Sequence, residues 1–321
     1  MTARLVTAII PAYNAERWIT TTIHSVLAQT WRDLECLVVD DGSEDGTSDL
    51  VRSFGEEVRL IRLPNGGVSR ARNAGIAAAR GTFVAFLDAD DAWAPHKLER
   101  QMELFQRHPQ LGLVYTSLAL MDEAGRPLGI VRAPEPTRAL HNVLLFEPPA
   151  ASLAQSGLMP ARILADVGGF DERLSTSADA DMFCRIALAY PVARIDEPLT
   201  FYRQHHHQMH HDLRRVETDM QLVMHKHLDS AALALHCRFV HRRAKSNLAL
   251  MLAVAHASRG QWASALLHGA QGLLWHPGRA LSLIVKRLVR RGRHVSARQR
   301  AGRPGASSRY TTSGPAGPGR R

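Results

Sequence analysis

The sequence predicts an α/β protein: a mixed, mostly parallel sheet flanked by helices, followed by a helical carboxy-terminal extension. Three observations carry this expectation. The first hundred residues alternate short β-rich apolar runs with longer helix-compatible segments, the signature of βα units. Several of the apolar runs end in polar or acidic clusters, as strands do where an open sheet gathers its ligand. From about residue 213 the sheet pattern stops and helix-compatible sequence takes over.

The first run, LVTAII (5–10), ends in Pro11-Ala12-Tyr13-Asn14. Pro11 and the polar residues after it stop the apolar stretch too early for a signal sequence, so it reads as a buried strand. AERWITTTIHSVLAQ then places Trp18, Ile19, Ile23, Val26 and Leu27 at helical spacing, expected to serve as core packing. LECLVVD (34–40) runs into Asp40-Asp41-Gly42-Ser43, where Asp41 and Asp45, with Gly42 and Gly46, are either turn formers or ligand groups. After VRLIRL (58–63), Asn65-Gly66-Gly67 permits a tight turn before Ala-rich helical sequence. That turn is either a plain loop or a phosphate cradle of exposed N–H groups, with Arg72 adding charge. TFVAFLD (82–88) leads into Asp88, Asp90 and Asp91. Unpaired carboxylates are costly to bury, so three at a strand end imply either open solvent or a cation that collects them.

At 321 residues the chain exceeds the usual single domain, and 45% hydrophobic residues suffice for a substantial core. Cys36, Cys184 and Cys237 are odd in number and far apart, which predicts a reduced, cytoplasmic setting without a disulfide framework. The net charge of +10 is divided sharply: residues 1–230 hold all 30 acidic residues and sum to −7, whereas residues 231–321 hold none and sum to +17. A body for one partner and a tail for a polyanion, anionic lipid or nucleic acid, are therefore expected. No segment reaches the roughly 18 to 20 apolar residues of a membrane span. LALMLAVAHA (248–257) comes nearest and is too short, so the chain is not expected to cross a bilayer by itself.

PAYN, VVDDGSEDGT, NGGVSRARNAG, FLDADDAW and GGFDERLSTSADADMFCRIA, in this order over about residues 4 to 205, together resemble the family-2 glycosyltransferases. The resemblance implies the Rossmann-like GT-A fold and an inverting, metal-dependent hexosyltransferase that uses a nucleotide sugar. It implies that Asp90 binds Mg²⁺ or Mn²⁺, that Asp88 meets the ribose or the metal, and that Pro11, Tyr13 and Asp41 hold a uridine base. A carboxylate can accept the imide N–H of uracil, which favours uridine over a purine. Ala12, Gly67 and Arg72 complete the expected nucleotide-sugar site.

Inverting transfer breaks the bond from the anomeric carbon to a phosphate oxygen while an acceptor hydroxyl loses its proton, so leaving group and base need separate carboxylates. Asp179, in Ser177-Ala178-Asp179-Ala180-Asp181, aligns with the catalytic aspartate of the family and is the expected base. Ala178 stands where the family commonly has a glutamate, and Asp181 is expected to fix the loop or cap the following helix. His205 falls where the family's Tyr-Arg-X-His pattern has its histidine, near diphosphate and metal. His206, His207, His210 and His211 are read as surface residues, because adjacent histidines on an extended chain point in different directions.

The expected division is a GT-A domain over 1–212, a helical region over 213–296 and a disordered basic tail over 297–321, rich in Gly, Pro, Ser and Arg. ASRGQWASALLHGAQGLLWHP is expected to form a helical pair covering the body. RALSLIVKRLVRRGRH sets Leu281, Leu283, Ile284, Leu288 and Val289 among Lys286, Arg287, Arg290 and Arg291, a basic amphipathic pattern compatible either with an anionic membrane surface or with docking on the body. The expected acceptor is a glycan or lipid-linked molecule of cell-surface polysaccharide or glycolipid assembly, met at the cytoplasmic face of the plasma membrane. Two rivals are a nucleotide-sugar-binding protein without catalysis and a nucleic-acid binder acting through the tail. The tail lacks base-stacking or groove-reading motifs, so no nucleic-acid partner is expected.

Overall fold

The computed structural model describes residues 5–147, 153–206, 212–228 and 234–278. Its first half runs β1 (Val6–Ala12), α1 (Ile19–Leu27), β2 (Leu34–Asp40), α2 (Thr47–Arg52), β3 (Val58–Arg62), α3 (Val68–Ala78), β4 (Phe83–Phe86), β5 (Ala92–Trp93), α4 (Lys97–Arg107), β6 (Leu113–Met121) and β7 (Pro127–Val131). Then follow α5 (Pro136–Leu144), α6 (Leu153–Ser156), β8 (Leu158–Pro160), α7 (Ala161–Val167), α8 (Ala178–Ala189), β9 (Val192–Arg203), α9 (Leu213–Leu228), α10 (Ala234–Ser258) and α11 (Trp262–Trp275).

The strands form one sheet in the order β3-β2-β1-β4-β8-β6-β9-β5, with β7 paired to β6. β1 lies parallel to β2 and β4, and β2 to β3, as the βα alternation predicts. β8 then joins antiparallel to both β4 and β6. This makes the sheet mixed, as expected, although no local pattern marks β8 as the antiparallel member.

Strands covered on both faces read as continuous apolar runs, and all seven residues of β1 are buried. Alternation divides them between two cores. Val6, Ala8 and Ile10 face α1 and α4 through Ile19, Ile23, Leu98 and Met102. Ile9, with Leu37 and Phe86, faces α3 and α8 through Ala71, Met182 and Phe183. Ile19, Ile23 and Val26 pack as their spacing predicts, but Trp18 does not: it is half-buried just before α1, and its ring meets His205.

α9 packs on the body through Val223, and α10 joins it through Leu145, Met224, Leu228, Leu248 and Leu252. α11 turns back on α10, where Ser246 Oγ donates to the Gly272 carbonyl at 2.8 Å. Among the described residues no helix is long and apolar enough to cross a membrane. The basic amphipathic segment from residue 279 and the tail over 297–321 lie outside the described residues.

Candidate active site

The carboxyl ends of β1, β2 and β4, the start of α8 and the end of β9 converge on a cleft of about 840 Å³. Pro11, Ala12, Tyr13, Asp41, Gly67 and Arg72 line one part of it. Asp88, Asp90, Asp179 and His205 line the rest. The ten residues that the resemblance assigns to donor, metal or base thus border one space.

The nucleotide side is built by two loops that cross. Asp41, buried at the end of β2, accepts N–H bonds from Gly66 at 2.9 Å and Gly67 at 2.8 Å, one on each carboxylate oxygen. The glycine turn therefore orders its amides on Asp41, and these two N–H groups are not open to a phosphate. Gly42 must be glycine twice over: its φ is +78°, and a Cβ there would lie 2.7 Å from the Asn65 backbone nitrogen. Asp45, by contrast, is a turn former, accepting the Thr47 N–H and hydroxyl ahead of α2. Tyr13 stays half exposed at the rim of the cleft.

The three carboxylates after β4 do not act alike. Asp88 accepts from Arg72 Nη2 at 2.7 Å and from Gln155 Nε2. Arg72, buried in α3 and lying over the Phe170 ring, thus answers a carboxylate directly. Asp90 meets His205, with Nε2 2.7 Å from Oδ2. Asp91 turns inward, accepts the Arg203 N–H at 2.8 Å and leaves Oδ2 without a hydrogen bond. Burial first, then the neighbouring Asp90 and Asp88, push its carboxyl well above the usual range. Asp91 is a structural tie between the β4 loop and β9, and Thr22 fixes the same loop from α1, its Oγ1 lying 2.8 Å and 2.7 Å from the Ala89 and Asp91 carbonyls.

Asp179 sits in the first turn of α8, half-buried, with Ala180 N–H donating to it at 2.9 Å. Desolvation raises its carboxyl above the ordinary value, and nearby Asp88 adds to the rise while the Arg72 charge opposes it. Such a group is better suited to accept a proton than a fully solvated carboxylate. Asp181 differs from the expected loop tie or helix cap. Fully buried, it receives Lys226 at 2.7 Å, His227 at 2.9 Å and Arg185 at 2.8 Å. Burial raises its carboxyl, but these partners together hold it well below the usual range.

The donor set at Asp90 and His205 suits a divalent cation that keeps substrate oxygens among its ligands, as magnesium-type sites do when they draw on one or two carboxylates plus phosphates. Among the described residues no group of three His, Cys, Asp or Glu side chains is arranged to hold a metal by itself. Of the remaining histidines, His206 is exposed, and His207, His210 and His211 lie outside the described residues.

Sequence reasoning missed several cleft residues. Trp18 lies against His205 with ring centroids 4.4 Å apart and the planes tilted by 31°, a contact hidden because its helical spacing matched the core. Gln155, Ser175, Thr176 and Arg215 also line the cleft. Nothing local marks them, since Gln155 comes from α6 and Arg215 from α9, far along the chain.

The fold has solved counterparts. Staphylococcus aureus TarS 1-349 in complex with UDP-GlcNAc aligns with a TM-score of 0.57 at 16% identity, over 84% of this chain and 91% of that one. The mannosyltransferase PcManGT from Pyrobaculum calidifontis, in complex with GDP-Man and Mn²⁺, aligns with a TM-score of 0.53 at 21% identity, over 88% and 84%. The architecture is therefore the GT-A fold. Residues 7–127 match Glycosyl transferase family 2. The putative teichuronic acid biosynthesis glycosyltransferase TuaG of Bacillus subtilis is 40% identical over 136 residues, covering 41% of this chain and 54% of TuaG. The chain spans 34% to 65% of the length of the first curated relatives it matches.

Proposed function

We propose that this chain transfers a hexose, with inversion, from a nucleotide sugar to a hydroxyl of a glycan or lipid-linked acceptor in cell-surface polysaccharide or glycolipid assembly. The observation that carries the reading is the convergence of Asp88, Asp90 and Asp179 on one cleft from separate elements, with Asp179 in the environment that favours its neutral form. The acceptor assignment draws on the likeness to TuaG.

Asp179 removes the proton from the acceptor hydroxyl. The oxygen attacks the anomeric carbon from the face opposite the phosphate, and the bond to the phosphate oxygen breaks, its electron pair leaving with the nucleoside diphosphate. Asp90 and His205 would hold a divalent cation, Mg²⁺ or Mn²⁺, which when bound supplies Lewis-acid neutralisation of the diphosphate. Arg72 and Gln155 hold Asp88 in place toward the donor. Asp41 keeps a free lone pair on each oxygen beyond its glycine bonds, enough to accept the imide N–H of a uridine base.

The protein also works against an anionic lipid surface. α11 exposes Trp262, Leu266 and Leu274, at 65%, 73% and 82% of their full area, and from residue 231 onward the chain carries seventeen basic and no acidic residues. Hydrolysis of a panel of UDP- and GDP-sugars, with and without Mn²⁺, tests the catalytic reading. Metal-dependent turnover of a UDP-sugar is the expected result, and no turnover of any donor under any metal condition would overturn it.

A further inference from the structure

α8 begins without a cap of its own: its N-cap residue, Ser177, makes no side-chain capping bond. Helix starts expose unpaired N–H groups, and three successive amides that converge form a nest for an anion. Here the backbone N–H groups of Ser175, Thr176 and Ser177 converge on Oδ2 of Asp219, at 2.9, 2.6 and 3.2 Å. The hydroxyls of Ser175 and Thr176 add two more bonds to the same oxygen, at 3.2 and 2.9 Å. The carboxylate filling this nest comes from α9, more than forty residues downstream, and is buried.

The loop it grips is not remote from the chemistry. Ser175 and Thr176 line the cleft, and Asp179 follows Ser177 by two residues. On the other side, Ser69 of α3 donates to the Leu174 carbonyl at 2.6 Å, so the loop is pinned between α3 and α9. With the nest occupied by Asp219, Asp179 accepts the Ala180 N–H and borders the cleft. Without Asp219, the start of α8 would present unpaired donors at the very turn that carries Asp179, a carboxylate able to accept from them.

We infer that Asp219 is a positioning residue for sugar transfer: from α9 it fills the nest of residues 175–177 and thereby sets the first turn of α8 and the reach of Asp179 into the cleft. This rests on Asp179 being the base. Lys226 and His227 tie α9 to Asp181 separately, outside the nest.

Three variants of the full chain test it: Asp219→Ala, Asp219→Asn, and Lys226→Met as a control that loosens α9 without touching the nest. Turnover is measured on the UDP-sugar panel and nucleotide affinity by calorimetry with UDP. Asp219→Ala should lower kcat about 100-fold, the cost of a displaced catalytic group, while donor KM and the Kd for UDP stay within about twofold. Asp219→Asn, which retains one acceptor oxygen of the right reach, should recover part of the rate, and Lys226→Met should keep wild-type kcat. A folded Asp219→Ala protein with wild-type kcat would overturn the inference. So would equal losses of kcat in Asp219→Ala and Lys226→Met, which would make Asp219 a scaffold contact only. Wild-type kcat in Asp179→Asn would instead remove the base assignment itself, an outcome distinct from either.

Discussion

His205 Nε2 lies 2.7 Å from Asp90 Oδ2, joining the residues that follow β9 to those that follow β4, and Trp18 lies against the histidine ring. Two elements far apart in sequence therefore present a carboxylate and an imidazole to the same point of the cleft. If that pair receives the cation, Asp90→Asn should abolish transfer and remove the metal-dependent part of UDP binding while leaving the fold intact. His205→Ala should weaken metal affinity by about 10- to 100-fold. Titration of Mn²⁺ in the presence of UDP measures both, and undiminished activity in excess chelator would contradict the assignment.

Asp179→Asn should cut turnover by about two to four orders of magnitude with little change in donor affinity. The base must be ionised to act, so the rate falls as pH drops through its pKa. Because burial raises that value, the acid limb should lie at higher pH than an exposed aspartate would give. Arg72 opposes the rise, so Arg72→Met should move the limb higher still. A kcat/KM profile against pH reads both shifts, and a limb that stays put in Arg72→Met would disconnect it from Asp179.

Asp181 should prove a stability residue. Its carboxylate is buried among Lys226, His227 and Arg185, and removing one member of such a buried group costs about 3 to 5 kcal/mol. Denaturant unfolding of Asp181→Ala at neutral pH should show that loss. Since the folded-state pKa is depressed, the stabilisation is fully present above the ordinary carboxylate value and is lost only as pH falls through the lower folded one. The deficit should thus persist at pH 5 and narrow only in stronger acid, and a deficit already gone at pH 5 would show that Asp181 is not held ionised.

Sedimentation with vesicles should show binding to anionic lipid, none to neutral lipid, and release as salt shortens the Debye length below about 8 Å. Leu266→Glu combined with Leu274→Glu should weaken that binding without altering turnover on a soluble acceptor. Equal binding to neutral and anionic vesicles would show that apolar burial alone drives it, and a variant that binds like wild type would clear α11 of any part.

The sequence by itself determined the amino-terminal βα units, because parallel strands buried on both faces must be apolar throughout, and it marked the cleft because carboxylates at strand ends are costly without a reason. Asp88, Asp90, Asp179 and His205 were all legible there through motif and position. What each carboxylate does was decided only by tertiary structure. Asp90 and Asp91 are neighbours in sequence, yet one faces His205 and the other is turned inward onto the Arg203 amide. The antiparallel insertion of β8, the contact of Trp18 with His205 and the grip of Asp219 on the start of α8 depend on partners tens of residues away. Periodicity reports which side of an element is buried. It carries no information about which distant donor will meet a given carboxylate, and hydrogen bonding at that range is what fixes this site.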